Sequence, residues 1–125
     1  MNESIVVAVD DDYRVRESIA RLAKSAGLKV EVFSSAEELL ISGLLGRAGC
    51  LITDVRMPGI DGFALQRRAQ AENSRLPVIL ISAHVDEAAR QRSLEAGAFA
   101  FLYKPFDGEE LLRVIQKALD RAAEG

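Results

Sequence analysis

Five short apolar runs punctuate the chain: Ile5 to Val9, Lys29 to Phe33, Cys50 to Thr53, Pro77 to Ser82 and Ala98 to Tyr103. The first, third and fourth are almost continuously apolar, the mark of strands buried on both faces of a sheet. Between the runs the period changes to that of a helix. Val15, Ile19, Leu22, Ala23 and Ala26 form one stripe, and Gly27 can end it in a left-handed conformation. Ser35 with Glu38 reads as a capping box opening a second helix. Asp61 and Gly62 open a third, with a weaker stripe through Leu65 and Ala69, and Asp86 caps a fourth that runs toward Gly97. Asp107 with Glu110 precedes the last stripe, Leu111, Ile115, Ala118, Leu119 and Ala122. Strand and helix alternate five times over short connections, which forces parallel strands and right-handed crossovers. The expected fold is α/β: a single doubly wound (βα)5 domain over residues 1–125, its five-stranded parallel sheet in the flavodoxin-like order 2-1-3-4-5. The closing Arg121 to Gly125 reads as the start of a linker.

Composition narrows the function classes. Apolar residues make up 49% of the 125 and charged residues 28%, as in an ordinary globular domain. A net charge of -3 with both signs interspersed gives no electrostatic footprint for DNA or RNA. Met1-Asn2-Glu3-Ser4 lacks the positive start and apolar run of a secretory signal, and no apolar stretch approaches the ~18 residues of a membrane span. The single cysteine, Cys50, excludes an internal disulfide, fits a reducing compartment such as the cytoplasm, and reads most simply as a buried apolar residue.

In doubly wound sheets the site lies beyond the carboxyl ends of the strands. Here those ends deliver Asp10-Asp11-Asp12, Asp54, Ser82-Ala83 and Lys104-Pro105. Singly, each has a plain explanation: Asp12 caps the first helix, Asp54 is a turn residue, and Lys104 is a solvated lysine. Together they place like-charged carboxylates on neighbouring strand ends, and that repulsion needs a cation. A hard divalent ion such as Mg²⁺ takes oxygen ligands and suits the set. With Asp10, Asp11 and Asp54 ionised, Mg²⁺ and the Lys104 ammonium neutralise all three charges, leaving a carboxylate oxygen able to act as nucleophile.

At this point the chain resembles the receiver domain of bacterial two-component response regulators. The resemblance rests on Asp10-Asp11, the segment from Asp54 through Met57-Pro58-Gly59 to Gly62, Ile81-Ser82-Ala83, Ala96-Gly97-Ala98 and Lys104-Pro105-Phe106. Any one motif is weak, but their order and spacing are specific and span the chain. The wording around Asp54 and Lys104 is most similar to the FixJ-type subgroup. The resemblance implies a phosphorylation-dependent switch with Asp54 as phosphoacceptor. Asp11, Asp10, Asp54 and the backbone carbonyl of Arg56 would hold Mg²⁺, Asp11 being the more direct ligand of the acidic pair. Lys104, the Ser82 hydroxyl and the Ala83 N–H would hold the phosphoryl oxygens. Phe101 falls at the family's aromatic switch position, although a phenylalanine there offers shape without a hydroxyl. The bond before Pro105 is expected to be cis. Arg56 and His84 border the path of an attacking water, His84 otherwise reading as a surface residue. Tyr13 is placed either over the pocket rim or along the first helix. The implied donor is a sensor histidine kinase or phosphotransfer protein. The implied response is a changed surface on the fourth helix, fifth strand and fifth helix, a face suited to homodimerisation or to control of an output domain. The chain transfers the group to itself and is not expected to be an enzyme acting on separate substrates.

Three rivals differ by chemistry. A phosphatase of the haloacid-dehalogenase class needs an acid–base Asp two residues after the nucleophile, where this chain has Arg56. A nucleotide-binding enzyme needs a glycine-rich loop after the first strand, where this chain has carboxylates. A receiver-like binding module that is never phosphorylated would have no use for the complete acidic set.

Overall fold

β1 (Ile5–Val9), β3 (Ala48–Asp54) and β4 (Val78–Ser82) are buried along their whole length, as continuous apolar runs require of central strands. This computed structural model describes residues 4–124; the outer ends of the expected domain, including Met1 to Glu3 and Gly125, lie outside the described residues. The sheet is parallel throughout, in the order β2-β1-β3-β4-β5. β2 (Lys29–Phe33) and β5 (Ala100–Tyr103) form its edges, and β2 turns the charged Lys29 and Glu31 to the surface. Charges on an edge strand discourage pairing with further chains.

Helices cover both faces. α1 (Tyr13–Ser25) and α5 (Gly108–Glu124) pack Ile19, Leu111, Ile115 and Ala118 against Val6, Ala8, Cys50, Ile52, Ile79 and Ile81. On the other face, α2 (Ala36–Ser42) and α3 (Gly62–Glu72) bring Leu39, Leu65 and Ala69 onto Val7, Val9, Leu51, Val78, Leu80 and Phe101. α4 (Glu87–Glu95) lies beside β5 and buries only Ser93.

Helix starts follow the local chemistry. The side chains of Asp12, Asp61 and Asp86 accept the Arg14, Ala64 and Ala89 N–H groups at 2.9, 2.9 and 3.0 Å. Ser35 accepts from Glu38 N–H at 3.1 Å, and the Glu38 carboxylate reaches back to the Ser34 N–H at 2.9 Å. Gly27 (φ +75°) and Gly97 (φ +105°) end α1 and α4 in the same way. Each N–H bonds back three residues, and the next N–H bonds back five, to Ala23 and Ser93 respectively.

Several boundaries differ from the sequence reading. β3 starts at Ala48 and runs through Asp54. β4 starts at Val78 because Pro77 has no N–H, although the Pro77 carbonyl still accepts from Leu51. β5 starts at Ala100, since the α4 cap consumes the Ala98 N–H. Gly43 (φ +76°) ends α2, and an unanticipated 3₁₀ turn at Leu44–Arg47 buries Leu45. Arg121 to Glu124 is helical, the last turn of α5.

Candidate functional site

Parallel strands in this register end together, and their last residues meet at one edge of the sheet. Asp10 follows β1 directly; its N–H donates to the Phe33 carbonyl at 3.1 Å, which keeps it in line with β2. Its side chain is wholly buried, and Oδ1 accepts from Asp12 N–H at 2.8 Å. That bond curls the acidic turn so that Asp11 projects outward, exposed, from the same edge. Asp54 closes β3 at 6% exposure, and Val55 N–H donates to the Ile81 carbonyl at 2.9 Å, which fixes the strand end beside β4. Gly62 lets α3 begin directly against this point. Its N–H donates to the Val55 carbonyl at 2.8 Å, and a Cβ there would overlap the Asp54 carbonyl oxygen.

Lys104 enters from the end of β5, where its N–H donates to the Ser82 carbonyl at 2.7 Å and the following bond to Pro105 is cis. Its ammonium lies 2.8 Å from Asp10 Oδ2 and 3.5 Å from Asp54 Oδ2. The short contact pairs the ammonium with the wholly buried Asp10 carboxylate. Burial works against the Lys104 charge, but Asp10 and then Asp54 outweigh it and raise its pKa. For Asp54 the balance goes the other way for the charged form. Burial first, then the Asp10 charge, raise its pKa, with Lys104 opposing and Asp11 adding to the rise.

One carboxylate oxygen from each of Asp10, Asp11 and Asp54 lies within 4.8 Å of the others. Three carboxylates against one ammonium leave an excess of two negative charges. An all-oxygen set with a doubly negative excess fits a hard divalent cation. The one cysteine, Cys50, is buried on the α1–α5 face with its pKa pushed up to about 12 by desolvation, and it is not part of the set.

The remaining predicted residues stand around this cluster. Ser82 ends β4 on the face that carries Val78 and Leu80, but its hydroxyl is turned to the β4–α4 loop. It donates to the His84 carbonyl at 3.0 Å and accepts from the His84 N–H at 3.1 Å. Ala83 and His84 are exposed, and so is Arg56. Arg56, Ser82, His84 and Arg92 line a cleft of about 640 Å³ between the β3–α3 loop and α4. Phe101 is 8% exposed, a core residue in this conformation, with its ring edge-on to Tyr103 at 5.4 Å. The Tyr103 hydroxyl is buried without a hydrogen-bond partner among the described residues. Tyr13 is 65% exposed at the start of α1, with the Arg16 guanidinium 5.7 Å from its ring centre.

Two supporting residues escaped the sequence reading. Arg16 donates from Nη1 to the Asp10 carbonyl at 2.8 Å. Glu37 accepts the Ile60 N–H at 3.2 Å across 23 residues of chain. Arg16 did carry a signal: a cation near the start of a helix opposes the helix dipole and needs another reason to be there. Glu37 carried none, because an acid in the first turn of a helix is ordinary.

Comparison with known proteins agrees with this geometry. A family model described as response regulator receiver domain matches residues 6–116. The response regulator protein TodT of Pseudomonas putida is 42% identical over 119 residues, 95% of this chain and 52% of that protein. The transcriptional regulatory protein FixJ of Azorhizobium caulinodans is 40% identical over 125 residues, 99% of this chain and 59% of that one. The chain thus spans about half the length of the curated relatives it matches. Among solved structures, the response regulator StyR superposes with a TM-score of 0.89 at 40% identity, covering 98% of this chain and 62% of that one. The receiver domain of nitrogen regulatory protein C gives 0.84 at 36% identity, covering 96% and 97% of the two chains.

Proposed function

This chain belongs to the response regulator receiver domain family, a family of phosphorylation-dependent signalling switches, and from that premise we propose which of its residues carry the switch. Asp54 is the phosphoacceptor. A carboxylate oxygen of Asp54 attacks phosphorus in line with the leaving nitrogen of a phosphohistidine. The P–O bond forms as the P–N bond breaks, and the imidazole departs. Lys104 stays beside Asp54 and meets the charge on the transferring oxygens, while Ser82 and the Ala83 N–H take the others once the hydroxyl turns from His84. Asp11, Asp10, Asp54 and the Arg56 carbonyl would hold Mg²⁺, which when bound supplies charge neutralisation at the phosphoryl group. The observation that carries this reading is the ammonium of Lys104 poised between two buried carboxylates at 2.8 and 3.5 Å.

The product explains the switch. Asp54 exchanges one negative charge for about two. The surplus favours drawing the Ser82 hydroxyl away from His84 and toward the phosphoryl group. His84 N–H and C=O then lose their partner, and the β4–α4 loop must rearrange. α4 follows easily because it buries so little, whereas Phe101 is already inside the core and serves as a fulcrum. The altered α4–β5–α5 face is the proposed output surface, for an attached output domain or a homodimer. A sensor histidine kinase or phosphotransfer protein is the proposed donor, the cytoplasm the proposed compartment, and residues 1–125 one receiver domain acting on itself and not on separate substrates. No helix among the described residues is long and apolar enough to cross a membrane.

Incubation with a small acyl-phosphate donor and Mg²⁺, followed by intact-mass analysis, tests the reading. It predicts a gain of one phosphoryl group that needs Mg²⁺ and falls by on the order of 10²-fold or more in rate in Lys104→Ala. No gain supports the unphosphorylated binding module instead, and a gain that survives Asp54→Asn contradicts Asp54 as the acceptor.

A further inference from the structure

Arg16 and Glu37 each hydrogen-bond the backbone of one of the two chain segments that carry the acidic cluster. The Arg16 guanidinium donates to the carbonyl of the peptide joining Asp10 to Asp11, at 2.8 Å in a partly buried position. It thereby fixes the one backbone unit on which the orientation of both carboxylates depends. The Glu37 carboxylate accepts the N–H of the peptide joining Gly59 to Ile60, in the loop between Asp54 and α3. Gly59 holds φ at +76°, and a Cβ there would overlap the Glu37 carboxylate, so the acid is seated directly on the turn. Glu37 thus seats the first turn of α2 on the β3–α3 loop, and Arg16 ties α1 back to the β1–α1 turn.

We propose that Arg16 and Glu37 are positioning residues, Arg16 for the β1–α1 turn and Glu37 for the β3–α3 loop, so that the oxygen cluster is shaped for a divalent cation before the ion arrives. The proposal rests on the assignment of that cluster as the Mg²⁺ site. Without the ion, Asp10, Asp11 and Asp54 repel one another, and the segments bearing them would splay. A charge-assisted hydrogen bond on each segment opposes that movement, and such bonds are roughly twice as strong as neutral ones. Both groups act on backbone, so they constrain where ligands stand and leave the ligand chemistry untouched.

Calorimetric titration of the full chain with Mg²⁺ alone tests this. Arg16→Ala and Glu37→Ala should each weaken Mg²⁺ binding roughly 10-fold, as loss of outer support does at metal sites. Glu37→Gln keeps an acceptor oxygen and should bind Mg²⁺ nearly as the parent does. In phosphorylation assays the half-saturating Mg²⁺ concentration should rise in parallel, with the rate at saturating Mg²⁺ almost unchanged. A merely structural role would lower the urea midpoint without that split. Should Arg16→Ala fold poorly, the Glu37 pair decides, because that side chain is exposed. Alanine variants that bind Mg²⁺ like the parent, or Glu37→Gln and Glu37→Ala with equal losses, overturn the proposal. A parent chain that binds no Mg²⁺ overturns the site assignment beneath it.

Discussion

The Tyr103 hydroxyl is the one phenolic oxygen inside the protein, and in this conformation nothing described satisfies it. A buried, unpaired polar group costs about 1–3 kcal/mol. Tyr103→Phe should therefore stabilise the unphosphorylated chain by about 1 kcal/mol, read as a higher urea midpoint at unchanged slope. A lower midpoint would mean that the hydroxyl has a partner after all. At this scale the sequence was informative about chemistry and silent about direction. Asp10, Asp54 and Lys104 could be assigned from their places at strand ends, because a strand end fixes where a residue stands. The Ser82 rotamer could not, since a hydroxyl bonded to its own loop at His84 and one turned to Asp54 have the same sequence.

Gly62 shows how an element boundary serves the site. α3 must start against the end of β3, and only hydrogen fits between Gly62 and the Asp54 carbonyl. The obstacle is backbone, which cannot swing aside. Gly62→Ala should cost about 1–3 kcal/mol and slow phosphorylation of Asp54, as measured by denaturation and by transfer rate. Unchanged stability together with an unchanged rate would show that the loop gives freely. The alternation of buried strands and striped helices was legible because burial on both faces leaves β1 without a polar residue and confines those of β3 and β4 to the strand ends, Thr53, Asp54 and Ser82. The boundaries of β5 and α2 were not, because they depend on where cap hydrogen bonds fall: the Ala98 N–H spent on α4, and Gly43 turning the chain into a 3₁₀ turn. α4 was the least legible helix. It buries Ser93, whose carbonyl accepts the amide of the buried Gln66 at 3.1 Å, and so it is anchored by a polar contact that no apolar stripe reveals.

Over the whole molecule, function follows from the asymmetry of the two sheet ends and the two sheet faces. One end gathers three carboxylates and one ammonium, with an excess of negative charge that a divalent ion would offset and a phosphoryl group would change. One face, under α1 and α5, is an apolar slab that holds the strands in register. The other carries Phe101 and Tyr103 beneath the lightly packed α4, where a local change in hydrogen bonding can alter a large surface. Sequence order made this division visible through the spacing of strand ends. The brace at Glu37 was hidden because it joins segments 23 residues apart through a backbone group, which every residue possesses, whereas the brace at Arg16 spans only six residues and showed as a cation near a helix start. The central claim is that the phosphoryl group resides on Asp54. Peptide mapping of the chain after Mg²⁺-dependent phosphorylation tests it most directly. The account predicts one modified peptide, the one containing Asp54, and none in Asp54→Asn; a phosphoryl group mapped to Ser82, His84 or any other residue of the parent chain would contradict it.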